Sequence, residues 1–364
     1  MKMNVTIPAA DPLPLPAPPW LMWGLLMLTF FLHLIFMNFV LGGSIIALFA
    51  RTKREEDEVR LSRWIGKVLP VAVAATVTFG VAPLLFLQVL YGRLFFSSAV
   101  LMAWWWLAVV PLVILAYYGT YVIAFQKGAL DRWVMPISIA VAAILAGVAF
   151  LYSNNMTLML RPDRFLPMFL EDARGVQLNT ADPTLIPRYL HMLLGAIAVA
   201  GLFVSIYGWI AARKDEAHGT WAMRHGAIWF SAATAGNLLA GLWWFGALAR
   251  EVMLRFVGGN TAATIWAIGG TAAGLAAVWM MLSAIRAPHP ARFVKWGTML
   301  TAITLVAMIV SRDQVRDGML RMAQFEPTTW IEPQWGVIAI FGVLLVGAFA
   351  TTAWMARLLL LPRA

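Results

Sequence analysis

The sequence predicts an all-α fold, a polytopic membrane helical bundle of about nine transmembrane helices. Three observations carry that expectation. The composition is 62% hydrophobic and 12% charged, with a mean hydropathy of +0.79. Apolar runs longer than 18 residues recur from Trp20 onward, which is the length a helix needs to cross the hydrocarbon layer. The strict apolar–polar alternation of a membrane barrel is missing. The predicted spans are 20–50, 64–91, 98–125, 131–152, 187–211, 225–249, 261–285, 293–311 and 335–360.

Lysine placement orients the bundle. Apart from Lys2, the lysines are Lys53, Lys67, Lys127, Lys214 and Lys295, and all flank connections that follow odd-numbered spans. Arg51, Arg54, Arg60, Arg63, Arg213, Arg286 and Arg292 join them. Positive residues stay on the cytoplasmic side, so the N-terminus is expected outside and the C-terminus inside. The net charge of +10 then reflects topology and contact with membrane lipid, and no nucleic-acid partner is expected.

Residues 1–19 form a Pro-rich external lead-in containing Pro12, Pro14, Pro16, Pro18 and Pro19, a composition that favours extended chain. Residues 20–364 read as a single transmembrane domain with two longer outer-face segments, 153–186 and 312–334. Most other connections are short, which sets neighbouring helices antiparallel. The chain has no cysteine. That excludes a disulfide framework, a thiolate metal site and covalent c-type haem attachment on this chain.

The first span carries His33 in Phe30-Phe31-Leu32-His33-Leu34, with Met37 and Asn38 about one turn on. Counted from Trp20, a rise of about 1.5 Å per residue puts His33 roughly 20 Å along the helix. The fifth span opens Pro187-Arg188-Tyr189-Leu190-His191, so Arg188 lies on a helix face next to that of His191. An intramembrane imidazole is a functional candidate by default and a standard haem-iron ligand; a hydrogen bond to a neighbouring helix is the alternative for each. Arg188 suits a haem propionate, because guanidinium pairs a carboxylate bidentately. His218, His225 and His289 lie among basic residues near predicted cytoplasmic connections and are expected to be solvated. Small residues crowd spans five to seven: Gly195, Gly201, Gly236, Gly241, Gly269, Gly270 and Gly274. They suit either close helix packing or room for a flat macrocycle. No internal repeat, P-loop or nucleophile–base pair stands out.

His33 to Gly42 reads His-Leu-Ile-Phe-Met-Asn-Phe-Val-Leu-Gly, and His191 through Gly201 is a histidine followed by small residues and a glycine. Both stretches resemble the histidine-bearing segments of helices one and five in subunit I of cytochrome bd quinol oxidases. Gln88 in Phe86-Leu87-Gln88 resembles a Phe-Gln segment closing that family's second helix, and Asn155-Met156 with Pro162 resembles a stretch after its fourth. Nine spans and an external N-terminus are also similar. The resemblance implies a bacterial inner-membrane location, one or two b-type haems held by His191 and His33, quinone as substrate, a second membrane subunit and a c-type cytochrome partner.

Departures from the family pattern shape the expected activity. The third span, Leu101-Met102-Ala103-Trp104-Trp105-Trp106, has no acid, and Thr301 to Val310 has no carboxylate. Ser311-Arg312-Asp313-Gln314 only echoes a Gly-Arg-Gln-Pro-Trp element. The quinol-binding loop is reduced to about Arg250–Asn260, and no methionine ligand falls within Thr261 to Gly270. Oxygen reduction needs proton-delivering acids, so the expectation is electron transfer between quinone and an external partner without quinol:oxygen oxidase activity. Met253 or Met308 could supply the second axial ligand beside His191. Arg250, Arg255, Arg312, Arg316 and Arg321 crowd the outer rim, where Arg312 is a further candidate for propionate pairing. Trp243-Trp244 could flank a ring ligand.

The absence of native cysteine makes the topology directly testable. A cysteine replacing Arg54 will react with an impermeant maleimide only from the cytoplasmic face, and one replacing Ala181 only from the outer face.

Overall fold

The computed structural model describes residues 13–125, 128–325, 328 and 330–360. Eleven α-helices follow one another: α1 (Pro19–Arg51), α2 (Glu56–Leu101), α3 (Ala103–Ala124), α4 (Val134–Leu158), α5 (Phe165–Glu171), α6 (Leu185–Ala211), α7 (Glu216–Ala247), α8 (Arg250–Leu254), α9 (Thr261–Arg286), α10 (Ala291–Met322) and α11 (Trp335–Leu360). Eight are long and apolar enough to cross a membrane, and α7 with the sharply bent Arg250–Gly259 segment brings the total to as many as nine. Connections 52–55, 125–133, 212–215 and 287–290 share one end of the bundle. We refer to it as the lysine end and to the other as the arginine end.

Several predicted boundaries move. Of the expected outer segment 312–334, α10 takes the part up to Met322, and α4 likewise runs to Leu158 into the segment expected from 153. Both expected outer segments are therefore partly helical. In α10 the polar side chains pair locally, as Arg316 does with Asp313 and Arg321 with Asp317. Helix α2 is 46 residues long, or about 69 Å at 1.5 Å per residue, so it projects beyond an apolar layer about 30 Å thick. Its regular geometry breaks at Tyr91 (φ −134°, ψ 29°).

Glycines set the closest contacts. A Cβ on Gly42 of α1 would lie 2.2 Å from the Ala196 carbonyl oxygen of α6. Between α6 and α7, Gly201 faces Gly226 and Gly208 faces the Gly219–Met223 stretch, with added Cβ atoms 2.4–2.6 Å from opposing backbone. These helices therefore meet backbone to backbone, the contact that small residues allow in membranes. Helices α1 and α6 both start at the arginine end and run parallel; α2 and α7 return beside them. Buried Phe39, Ile46, Ile65, Leu69, Ala200 and Val204 fill the space among α1, α2 and α6. Helix α11 is the exception, touching α2 through contacts such as Phe341 on Phe86 and otherwise standing apart.

The Pro-rich lead-in is described from Leu13. Leu15 donates its N–H to the Trp330 carbonyl and accepts from Glu332, while Pro16 accepts from Gln334. The remainder of the lead-in lies outside the described residues.

At the lysine end, His218 departs from expectation. Its side chain is buried, with Nδ1 2.5 Å from Asp57 Oδ1 and Nε2 3.1 Å from the Tyr207 hydroxyl. The acid comes from the distant start of α2, so the local basic sequence gave no sign of it. His225 is also largely covered and faces Glu58, whereas His289 is exposed as expected. Asp215 caps α7 by accepting the His218 backbone N–H and binds Arg60 at 2.8 Å. The His218 N–H first, and the Arg60 guanidinium second, hold its carboxyl below the usual carboxylate range.

Two outcomes follow from this packing. Gly42→Ala will cost about 1–3 kcal/mol in detergent unfolding experiments by overpacking, whereas Gly24→Ala, with open space around its Cβ, will stay within about 0.5 kcal/mol. Because the Asp215 carboxyl is more acidic folded than unfolded, its contribution is present above about pH 4 and lost as pH falls through the lower folded value. The melting temperature of Asp215→Asn will lie below wild type at neutral pH and converge with it in acid.

Candidate functional site

His33 and His191 occupy matching settings. His33 of α1 donates Nδ1–H to the Thr76 carbonyl of α2 at 3.0 Å. His191 of α6 donates Nδ1–H to the Asn237 carbonyl of α7, also at 3.0 Å. A carbonyl only accepts, so the contact fixes the tautomer and leaves the lone pair of each neutral ring on Nε2. In each case the residue four positions beyond the acceptor is a glycine. A Cβ on Gly80 would lie 2.8 Å from the His33 ring, and one on Gly241 would lie 3.0 Å from the His191 ring. Glycine is what admits the imidazole against the helix backbone, and α1–α2 repeats the device of α6–α7.

Neither Nε2 has a hydrogen-bond partner among the described residues. The arrangement matches that of a metal-binding histidine, whose second ring nitrogen is held by an outer partner.

Between the two rings lie three guanidinium groups. Arg188, Arg312 and Arg316 line a cavity of about 20 Å³ with Met156, Leu160 and Trp244, room for about one water. Trp244 connects this cavity to His191, with ring centroids 5.8 Å apart. On the other side, the Arg312 guanidinium lies 4.4 Å over the Phe30 ring, and Phe30 stacks with His33 at 6.4 Å.

The three cations differ in their partners. Arg316 pairs with Asp313 and lies over the Tyr91 ring at 4.4 Å; Asp313 also accepts from the Trp23 indole. Arg188 has only neutral acceptors, the Met156 carbonyl and the Thr157 hydroxyl, each at 3.2 Å. Arg312 makes neither a hydrogen bond nor an ion pair among the described residues. Leaving charged groups half-buried without a counter-ion costs several kcal/mol, and an anionic ligand would offset it.

The remaining candidates are more dispersed. Met308 is half-buried four residues before Arg312, on the same side of α10. Met253 is half-buried on α8. Arg255 pairs with Asp317, Arg321 shares that aspartate, and Arg250 is exposed. Gln88 is half-buried and Trp243 faces outward, whereas its neighbour Trp244 faces the cavity. Among the glycines, Gly201 and Gly270 serve close packing, and Gly241 accommodates a histidine. Sequence reading did not single out Thr76, Asn237, Gly80 or Phe30. Only the glycine register, repeated opposite each histidine, could have signalled that part of the site.

No group of three or more His, Cys, Asp or Glu able to hold a metal ion occurs among the described residues. A haem iron asks for less, one or two axial side chains, and the two free Nε2 atoms meet that requirement.

No protein-family profile matches the chain, and no curated protein is similar to it in sequence. In three dimensions it is similar to a chain from the structure of bd oxidase from Geobacillus thermodenitrificans, with a TM-score of 0.68 and 12% identity. The match covers 95% of this chain and 99% of that one. The likeness is one of fold.

Proposed function

We propose that this protein is a membrane-embedded b-type cytochrome built on the bd oxidase fold. In this reading it passes electrons between membrane quinone and an external redox partner, as one subunit of a larger respiratory complex in a bacterial inner membrane. The observation that carries it is the paired histidine setting: two intramembrane imidazoles on parallel helices, each with Nδ1–H held by a backbone carbonyl and Nε2 free. His191 would ligate one haem iron and His33 a second. Arg188 and Arg312 would pair propionates, and Met308 or Met253 would act as a second axial ligand beside His191. Bound haem would supply a one-electron couple inside the membrane. The protein's part is to fix ring tautomer and orientation, to supply cations to the carboxylates and to exclude water. A second membrane subunit and a c-type cytochrome at the arginine end complete the proposed complex, and quinol:oxygen oxidase activity is not proposed for the isolated chain.

A second reading is a haem-free anchor subunit that kept the fold. Two observations favour it, and the structural likeness stands closer to it than to the first. Similarity at 12% identity carries architecture without ligands, and the enclosed cavity beside the arginines has a volume of only about 20 Å³. A true terminal oxidase on this fold would need proton-delivering acids from another subunit, since α3 carries none.

Pyridine haemochrome assay of protein purified from haem-replete cells separates these readings. The cytochrome reading expects one or two haems b per chain, with one lost in His191→Ala and in Gly241→Val, whose side chain enters the space of the imidazole. Absence of b-type absorbance would establish the haem-free reading, and oxygen uptake with quinol would establish an oxidase.

A further inference from the structure

A second polar cluster sits at the lysine end, apart from the histidine pair described above. The first turn of α2 carries Asp57 and Glu58. The first turns of α7 carry His218, Trp221 and His225 at helical spacing, so all three share a face. Trp221 is sandwiched between the imidazoles. Its ring lies 5.8 Å from His218 and 4.7 Å from His225, nearly parallel to both at 17° and 18°. Each imidazole meets one α2 carboxylate: His218 faces Asp57 at 2.5 Å and His225 faces Glu58 at 3.8 Å.

The outer ring nitrogens distinguish the two pairs. Trp229 donates its indole N–H to His225 Nε2 at 3.0 Å. Indole cannot accept, so that nitrogen is unprotonated and the ring is neutral, with its proton on Nδ1 toward Glu58. His218 instead meets the Tyr207 hydroxyl, which can donate or accept. Glu58 is 8% exposed, and its Oε2 is buried without a hydrogen-bond partner. An ionised carboxylate needs donors at its oxygens; here Oε2 has none and Oε1 stands 3.8 Å from His225 Nδ1, so a proton on Glu58 removes the uncompensated charge. His225 also borders an open groove of about 720 Å³ shared with Trp221, Arg224 and Pro288, which brings water to the His225 side of the pair. The other charged groups facing the pair are Glu55, Asp57 and Lys53 around Glu58, with Glu55 also near His225 and Arg224 and Glu216 in the groove.

We propose that Glu58 and His225 form a proton-exchange site that loads and unloads through this groove at the lysine end of the bundle. In the loaded state Glu58 Oε2 bears the proton and both groups are neutral. In the unloaded state the proton has passed to groove water as hydronium, and ionised Glu58 accepts from His225 Nδ1–H. No electron moves in either direction. The site stands independently of haem binding.

The test is pH-difference infrared spectroscopy of the full chain in lipid nanodiscs. Acidification of the wild type should produce a buried carboxylic-acid band. The band should vanish in Glu58→Gln and survive in Glu216→Gln on the groove rim. Trp229→Phe frees His225 Nε2 to take a proton, and the resulting imidazolium should move the band's midpoint to lower pH by about one unit. A wild type without the band, or a band that persists in Glu58→Gln, overturns the proposal. If Glu58→Gln does not fold, an unmoved midpoint in Trp229→Phe overturns it equally.

Discussion

The bundle depends on the approach of α6 to its neighbours at backbone distance. Gly42 against Ala196 sets α1 beside α6, and Gly201 against Gly226 sets α7 on the other side. In lipid there is no hydrophobic drive between helices, so dense packing of small residues has to supply the adhesion. These contacts bring both histidine-bearing helices into one parallel pair, with α2 and α7 close enough to offer their carbonyls.

Within such a bundle, hydrogen-bond acceptors for a side chain are scarce. Helices satisfy their own N–H and C=O groups, and an imidazole proton can use only the second lone pair of a helix carbonyl. Reaching that lone pair requires the ring to lie against the backbone, where an ordinary side chain one turn on would block it. Gly80 and Gly241 leave that position open. The same constraint explains the arginines, whose acceptors at this depth are a carbonyl and a hydroxyl for Arg188 and an aromatic face for Arg312.

The spans were legible from the sequence because hydropathy is a local property, and His33, His191 and Arg188 were legible because polar groups are conspicuous in apolar runs. Their partners were not. Thr76 and Asn237 contribute carbonyls, which every residue possesses, so identity says nothing about the role. His218 looked solvated among its charged neighbours, and its acid, Asp57, belongs to another helix altogether. The end of α10 looked like an outer segment because Asp313, Arg316, Asp317 and Arg321 are polar; their pairing along and beyond the helix is a property of three dimensions.

The bridge between Leu15 and the Trp330–Glu332 segment joins parts from nearly opposite ends of the described chain. Such a contact closes a loop of more than 300 residues and forms only after the intervening helices are in place. The proline-rich segment therefore finds its partner only when the connection before α11 is in place. Helix α11, which has little other purchase on the bundle, is latched by the proline-rich segment at Leu15 and Pro16. The clasp makes completion of the bundle a discrete event, distinguishable by protease protection of the lead-in from any partly inserted form.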